Sequence, residues 1–252
     1  MKKIGLALGG GAILGAAHIG VLKALEERDI KPSIISGTSI GALVGSLYAF
    51  GKSWEEIKDL ALRLKWMDVT QISLSTYGLL SLDKIDKLLK KEIGSLAIEE
   101  AELPLALVCT DIQSGDKIVK AEGPLSPAVR ASMSIPGIFK PVIIDDQMLV
   151  DGGIVENVPI PTARTLGADF VIGVDLNAKH NYDRPNHIID VMLNSFHFSF
   201  QVIAELQTKD ADLLIQPDLS GFTRTSTKHV QNIMDQGYKA AVAQLEKYSE
   251  LI

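Results

Sequence analysis

"IGLALGGGAILGAAHIGVLKALEERDIKPSIISGTSIGAL", residues 4–43, contains two strand-loop-helix units in succession. "KIGLALG" is a short apolar run of the kind that forms a buried strand, and "GAAHIGVLKALEERDI" carries a helical apolar period. "PSIISG" repeats the strand pattern and "IGALVGSLYAFG" the helical one. A strand, a crossover helix and a second strand place the two strands parallel and adjacent, so their following loops emerge at one sheet edge. Each loop is rich in glycine, which costs roughly 0.5–1 kcal/mol inside a regular element. Such loops must turn sharply, or let something approach their backbone closely.

The same alternation continues along the chain. Residues 53–65 and 82–93 read as amphipathic helices, "LPLALVCTD" as a strand and "KIVKAEG" as a shorter one. "SPAVRASMSIPG" reads as a short helix stopped by Pro136-Gly137, and "VIIDDQMLVDGG" as a hairpin turning at Asp145-Asp146. "PTARTLGADFVIGVDL" is a helix then a strand, 188–210 a long helix, "DLLIQP" a strand and 229–249 a last helix. This order predicts an α/β fold with a largely parallel sheet and helices on both faces. With no repeat, low-complexity tract or linker, one domain over residues 1–252 is the simpler expectation. Residues 66–82 have scattered apolar groups and read as a loop packed on the core or a lid over an apolar site.

Composition narrows the function. The 252 residues are 46% hydrophobic and carry a net charge of −6, which supplies no basic surface for nucleic acid or anionic lipid. The lone Cys109 offers neither a disulfide framework nor a cysteine metal site. No stretch is long and apolar enough to span a bilayer, and no signal peptide is separable from the first strand. A cytoplasmic protein is expected, with transient peripheral membrane contact and oligomeric state left open.

Gly37-Thr38-Ser39-Ile40-Gly41 fits G-x-S-x-G between a strand and a helix, the setting of a nucleophile elbow. The turn forces the serine out of the sheet, and its neighbours two residues away must be small. A serine needs a base to take its proton. His18 reads as packing or capping on the first helix, His180 and His187 lie in a polar loop, and His197 and His229 follow. Asp151 is the better base: it ends an apolar strand, and Gly152 and Gly153 leave room beside it. With an ordinary pKa near 3.9 it must be desolvated or in direct contact with the serine. The loop around Gly9, Gly10, Gly11, Ala12 and Gly15 then reads as a source of N–H donors for an oxyanion. A dinucleotide fingerprint fails, because residues 10–15 read GGAILG, with Ala12 where G-x-G-x-x-G needs its second glycine, and the second strand ends in Ser36-Gly37 without an acid. "GKS" at 51–53 ends a helix, and Ser46 stands where a P-loop needs glycine.

Taken together, "LALGGGAILGAAHIGVLKALEE", "SGTSIGAL" and "LVDGGIVENVP" resemble the patatin-like phospholipases, in particular compact bacterial members. "CTDIQSG", "AVRASMSIPGIFKPV", "GADFVIGVDL" and "QGYKAA" extend the likeness over most of residues 4–240. The resemblance implies a three-layer α/β/α fold and hydrolysis of lipid acyl esters without metal or organic cofactor. It implies Ser39 as nucleophile, Asp151 as base, and the amides of Gly10, Gly11 and Ala12 as oxyanion donors. The chain departs from the family's G-G-G-x-[KR]-G loop: Leu14 holds the basic position and Ala12 that of the third glycine. Alanine keeps its amide as a donor if φ stays below zero. The lost charge leaves phospholipids and neutral esters equally open. Acyl transfer, a Ser-His-Asp arrangement and a non-catalytic lipid-binding regulator are the competing readings. The helix stripe of Ile189, Leu193, Phe196, Phe200 and Ile203 is expected to pack in the core or a dimer, with an acyl-chain or membrane-facing role as the alternative.

Overall fold

In a computed structural model describing residues 2–64, 70–72, 77–178, 184–224 and 226–248, the alternating strands and helices form layers. The strands are β1 (Ile4–Leu8), β2 (Ile34–Thr38), β3 (Gln71–Ile72), β4 (Gly78–Ser81), β5 (Leu105–Asp111) and β6 (Lys117–Lys120). They continue with β7 (Gly137–Phe139), β8 (Val142–Ile144), β9 (Gln147–Asp151), β10 (Phe170–Val174) and β11 (Leu213–Ile215). The helices are α1 (Ala16–Glu26), α2 (Ile40–Ala49), α3 (Trp54–Arg63) and α4 (Lys84–Glu92). After them come α5 (Leu125–Ser132), α6 (Ile160–Thr165), α7 (Ile188–Gln207) and α8 (Val230–Leu245).

Strand side chains alternate between two cores, as the period of two requires. Leu6 and Leu8 of β1, Ile35 of β2 and Ile172 of β10 face a core filled by Leu22, Leu43 and Ile233 of α1, α2 and α8. Ala7, Ile34 and Val171 of the same strands face Ile160 and Ala163 of α6 and Ala204 of α7. These two cores make the three layers. Each fully buried Leu or Ile contributes about 1.5–3 kcal/mol relative to exposure.

β11, β10, β1, β2 and β5 run parallel in that order. The far end of the sheet turns antiparallel. β6 covers one edge of β5 along Leu107–Thr110, so β2 and β9 must share the other edge. β2 pairs with Leu105–Val108 and runs up; β9 pairs with Cys109–Asp111 and runs down to meet it. The C-terminal tips of β2 and β9 therefore abut. The β8–β9 hairpin turns at Asp145 and Asp146, with φ 51° and 63°, the double positive φ of a type I′ turn.

β3 and β4 pair with each other, and β4 with β7, in a small second sheet that sequence periodicity does not predict. It takes up part of residues 66–82, of which 66–69 and 73–76 lie outside the described residues. "GKS" is the turn between α2 and α3, with Ser53 capping α3 through Glu56. Among the described residues, no helix is long and apolar enough to cross a membrane.

Candidate active site

Ser39 sits at the tip of β2 with φ 55° and ψ −123°, the strained apex that the elbow motif demands. Its backbone N–H donates to Ser132 Oγ at 2.9 Å, and that hydroxyl donates to the Val108 carbonyl at 2.7 Å. α5 thereby clamps the elbow to β5. Gly41 must lack a side chain: a Cβ there would stand 2.1 Å from the Leu8 carbonyl oxygen. The other motif glycines are also crowded, Gly9 by Val174, Gly15 by Ile40, Gly37 by Gly41, Gly152 by Val108 and Gly153 by Phe200.

Asp151 ends β9, wholly buried. Its N–H donates to the Ser134 carbonyl and its own carbonyl accepts from Thr110 Oγ1, both at 2.9 Å. Oδ1 accepts the Gly153 N–H at 2.8 Å, while Oδ2 has no partner within hydrogen-bonding geometry among the described residues. Burial pushes the carboxyl up to about 6, opposed by the Ser39 side chain beside it and by the Gly153 amide. The abutting strand tips have thus brought the serine to an aspartate whose ionised form burial disfavours.

The glycine loop leaves β1 beside the elbow. Gly9 N–H donates to the Val174 carbonyl and Gly10 N–H to that of Asn157, each at 3.1 Å. This corrects the expectation for Gly10: its amide is already engaged and does not point free into the site. Among the described residues, the Gly11 and Ala12 amides donate no such bond. Ala12 has φ +53°, so the negative φ on which its role as a donor depends is not met. The left-handed conformation costs about 1–2 kcal/mol in a non-glycine residue.

Several residues that the motifs do not reveal hold this loop. His18 is fully buried and its Nε2–H donates to the Gly9 carbonyl at 2.8 Å; burial pushes its pKa down to about 4. Asn177 Nδ2–H donates to the Gly10 carbonyl at 3.0 Å, and Arg224 donates to Asn177 Oδ1 at 2.8 Å. The buried Asn157 amide lies against Gly10, where a Cβ would be 2.7 Å from its Oδ1. His18 lies within the loop's own stretch of sequence, whereas no local pattern marks Asn157, Asn177 and Arg224, which reach the loop from distant segments. Leu14, the residue at the family's basic position, is fully buried in the apolar core.

An apolar cavity of about 150 Å³ opens beside Ser39 and Ala12, lined by Ile19, Leu43, Leu60, Leu82, Met133 and Phe139 among others. A space of that size accepts a benzene-sized apolar group. On the other side, α7 covers the Asp151-Gly152-Gly153 turn through Phe200. Within the expected stripe, Phe200 is buried, Leu193, Phe196 and Ile203 are half-buried and Ile189 is 37% exposed. Of the other histidines, His197 meets Phe200 edge-on, His229 lies near Phe222, His187 precedes α7 and His180 is outside the described residues. Cys109 is buried beside Asp151, which together with burial drives its thiol pKa upward. Among the described residues, no three His, Cys, Asp or Glu side chains gather as a metal site.

Residues 6–164 match the description of the patatin-like phospholipases. This chain belongs to that family. An uncharacterised NTE family protein of Mycobacterium bovis is 37% identical over 178 residues, 69% of this chain and 49% of its own length. The neuropathy target esterase sws of Drosophila melanogaster is 32% identical over 194 residues, 74% of this chain and 14% of that protein. The chain thus spans about half the length of the mycobacterial relative and a smaller part of the fly protein. The patatin-like fold also resembles VipD from Legionella pneumophila, with a TM-score of 0.62 over 98% of this chain and 67% of that one, at 15% identity.

Proposed function

We propose that this patatin-like chain is a serine acyl-ester hydrolase acting on lipid esters through Ser39 and Asp151. The reading rests on one observation: the Ser39 side chain lies beside a buried carboxyl whose Oδ2 is unpaired, at the mouth of an apolar cavity. Ser39 Oγ attacks the ester carbonyl carbon as Asp151 takes the hydroxyl proton. The carbonyl oxygen becomes an oxyanion, and the Gly11 amide is its donor. The N-terminus of α2 adds favourable dipole there. Collapse breaks the ester C–O bond, and Asp151 passes its proton to the departing alkoxide. Water then attacks the acyl-Ser39 carbonyl, giving its proton to Asp151; the carboxylic acid leaves and Ser39 recovers a proton. The cavity receives the acyl chain, since apolar walls favour methylenes by about 0.8 kcal/mol each.

The test is hydrolysis of a p-nitrophenyl ester series and of phospholipid vesicles by wild type, Ser39→Ala and Asp151→Asn. Wild-type turnover with loss of about 10³-fold or more in both variants supports the dyad, since each member is indispensable to proton removal. Full activity in Ser39→Ala would sink it.

A further inference from the structure

The acyl-hydrolase reading needs a strong donor at Gly11, and the fold supplies an unexpected means of making one. Gly10 C=O and Gly11 N–H belong to the same peptide group. The Asn177 amide donates to that carbonyl at 3.0 Å, and Arg224 donates to the other end of the same amide at 2.8 Å. All four residues are buried, and the Arg224 carbonyl also accepts the Ile13 N–H from the loop at 3.4 Å. Asp175 Oδ1 accepts the Asn177 backbone N–H at 2.9 Å, fixing the base of the Asn177 side chain.

We propose that Arg224 and Asn177 form a polarising relay that holds the Gly10–Gly11 peptide in one orientation and strengthens the Gly11 N–H as an oxyanion donor. The guanidinium bond is charge-assisted, and it fixes which way the Asn177 amide faces: Oδ1 must accept from Arg224, so Nδ2–H is left to meet Gly10. Hydrogen bonds in series polarise one another, so withdrawing electrons at the Gly10 oxygen makes the Gly11 proton a better donor. The bond also opposes rotation of the peptide that would turn the Gly10 carbonyl toward the developing negative charge. Leu14 leaves the loop without a cation of its own; Arg224 brings one to it from 210 residues along the chain. Arg224 and Asn177 are positioning residues, acting on the reaction through Gly11.

The relay rests on the acyl-hydrolase reading, and the experiment separates the two. Arg224→Lys, Arg224→Gln, Asn177→Ala and the Gln/Ala double variant are compared with wild type on one p-nitrophenyl ester, with melting curves confirming that each is folded. Arg224→Lys, which retains a charged donor, is expected to keep kcat within about threefold. Arg224→Gln and Asn177→Ala each lower kcat by about tenfold with little change in KM, less than the about 10²–10³ that follows loss of a direct oxyanion donor. The double variant falls no further than the slower single variant, because both cut one chain. Independently of turnover, the Gly11 amide proton resonance moves upfield in Arg224→Gln and Asn177→Ala and stays near its wild-type position in Arg224→Lys. Unchanged kcat in Arg224→Gln, multiplied losses in the double variant, or an unmoved Gly11 resonance overturns the relay. Should Arg224→Gln not fold, Asn177→Ala carries the same comparison. Should wild type show no Ser39-dependent hydrolysis, the acyl-hydrolase reading fails while the Gly11 resonance still decides the relay.

Discussion

Replacing Asp151 by Asn should change how stability depends on pH as well as abolish turnover. The carboxyl is fully buried and its pKa stands at about 6, against an ordinary 3.8. Between those values the folded protein binds more protons than the unfolded chain, so this group makes stability fall as pH rises. The difference amounts to about 3 kcal/mol, complete once pH exceeds about 6. His18 acts in the opposite sense. Its pKa drops from 6.5 to about 4, so its contribution is present above 6.5 and lost as pH falls toward 4. That change is also about 3 kcal/mol. In the wild type the two slopes largely offset each other from about pH 4 to about pH 6. Asp151→Asn removes one of them and exposes the other. Urea unfolding of both proteins from about pH 4 to about pH 8, at constant ionic strength, reads the difference directly. The stability of Asp151→Asn relative to wild type should grow by about 3 kcal/mol across that range, and His18→Asn should show the reverse trend. A difference flat to within about 0.5 kcal/mol would refute the assigned burial cost of the carboxylate. The same ionisation should appear as an acid limb near pH 6 in wild-type kcat/KM, because only the carboxylate can take the serine proton.

Two other outcomes follow from packing. Gly41→Ala drives a methyl group into the Leu8 carbonyl and should destabilise the fold by about 3 kcal/mol or more, read as a lowered melting temperature; wild-type melting would contradict the crowding at the elbow. Leu60→Trp fills part of the cavity and should lower kcat/KM for long-chain esters by about tenfold while sparing acetate, the cost of about two displaced methylenes. An equal loss at every chain length would remove the acyl chain from that cavity.

Local pattern was enough to read the strand-helix alternation, the elbow and the D-G-G turn. Each is written within a few residues: the alternation in apolar periods, the elbow in small residues on both sides of Ser39, the turn in Gly152 and Gly153. The hairpin at Asp145-Asp146 was legible for the same reason. The small β3–β4–β7 sheet was not, because strands of two to four residues give too little periodicity to recognise. The Gly10 and Ala12 expectations were revised for a related reason. Sequence shows that an amide exists, whereas its partner at Asn157 and the φ of Ala12 depend on segments that approach from elsewhere.

The sequence by itself determined the parts: two loops following parallel neighbouring strands, a serine at a forced turn and an aspartate before two glycines. Tertiary structure decided how they act together. β6 occupies one edge of β5, so β2 and β9 are forced tip to tip along the other, and this meeting sets Ser39 beside Asp151. Burial there, a property of the whole fold, raises the carboxyl pKa. The Arg224–Asn177 chain behind Gly10 and the cavity beside Ser39 likewise join residues far apart in sequence, which only three-dimensional packing can bring within hydrogen-bonding or van der Waals distance.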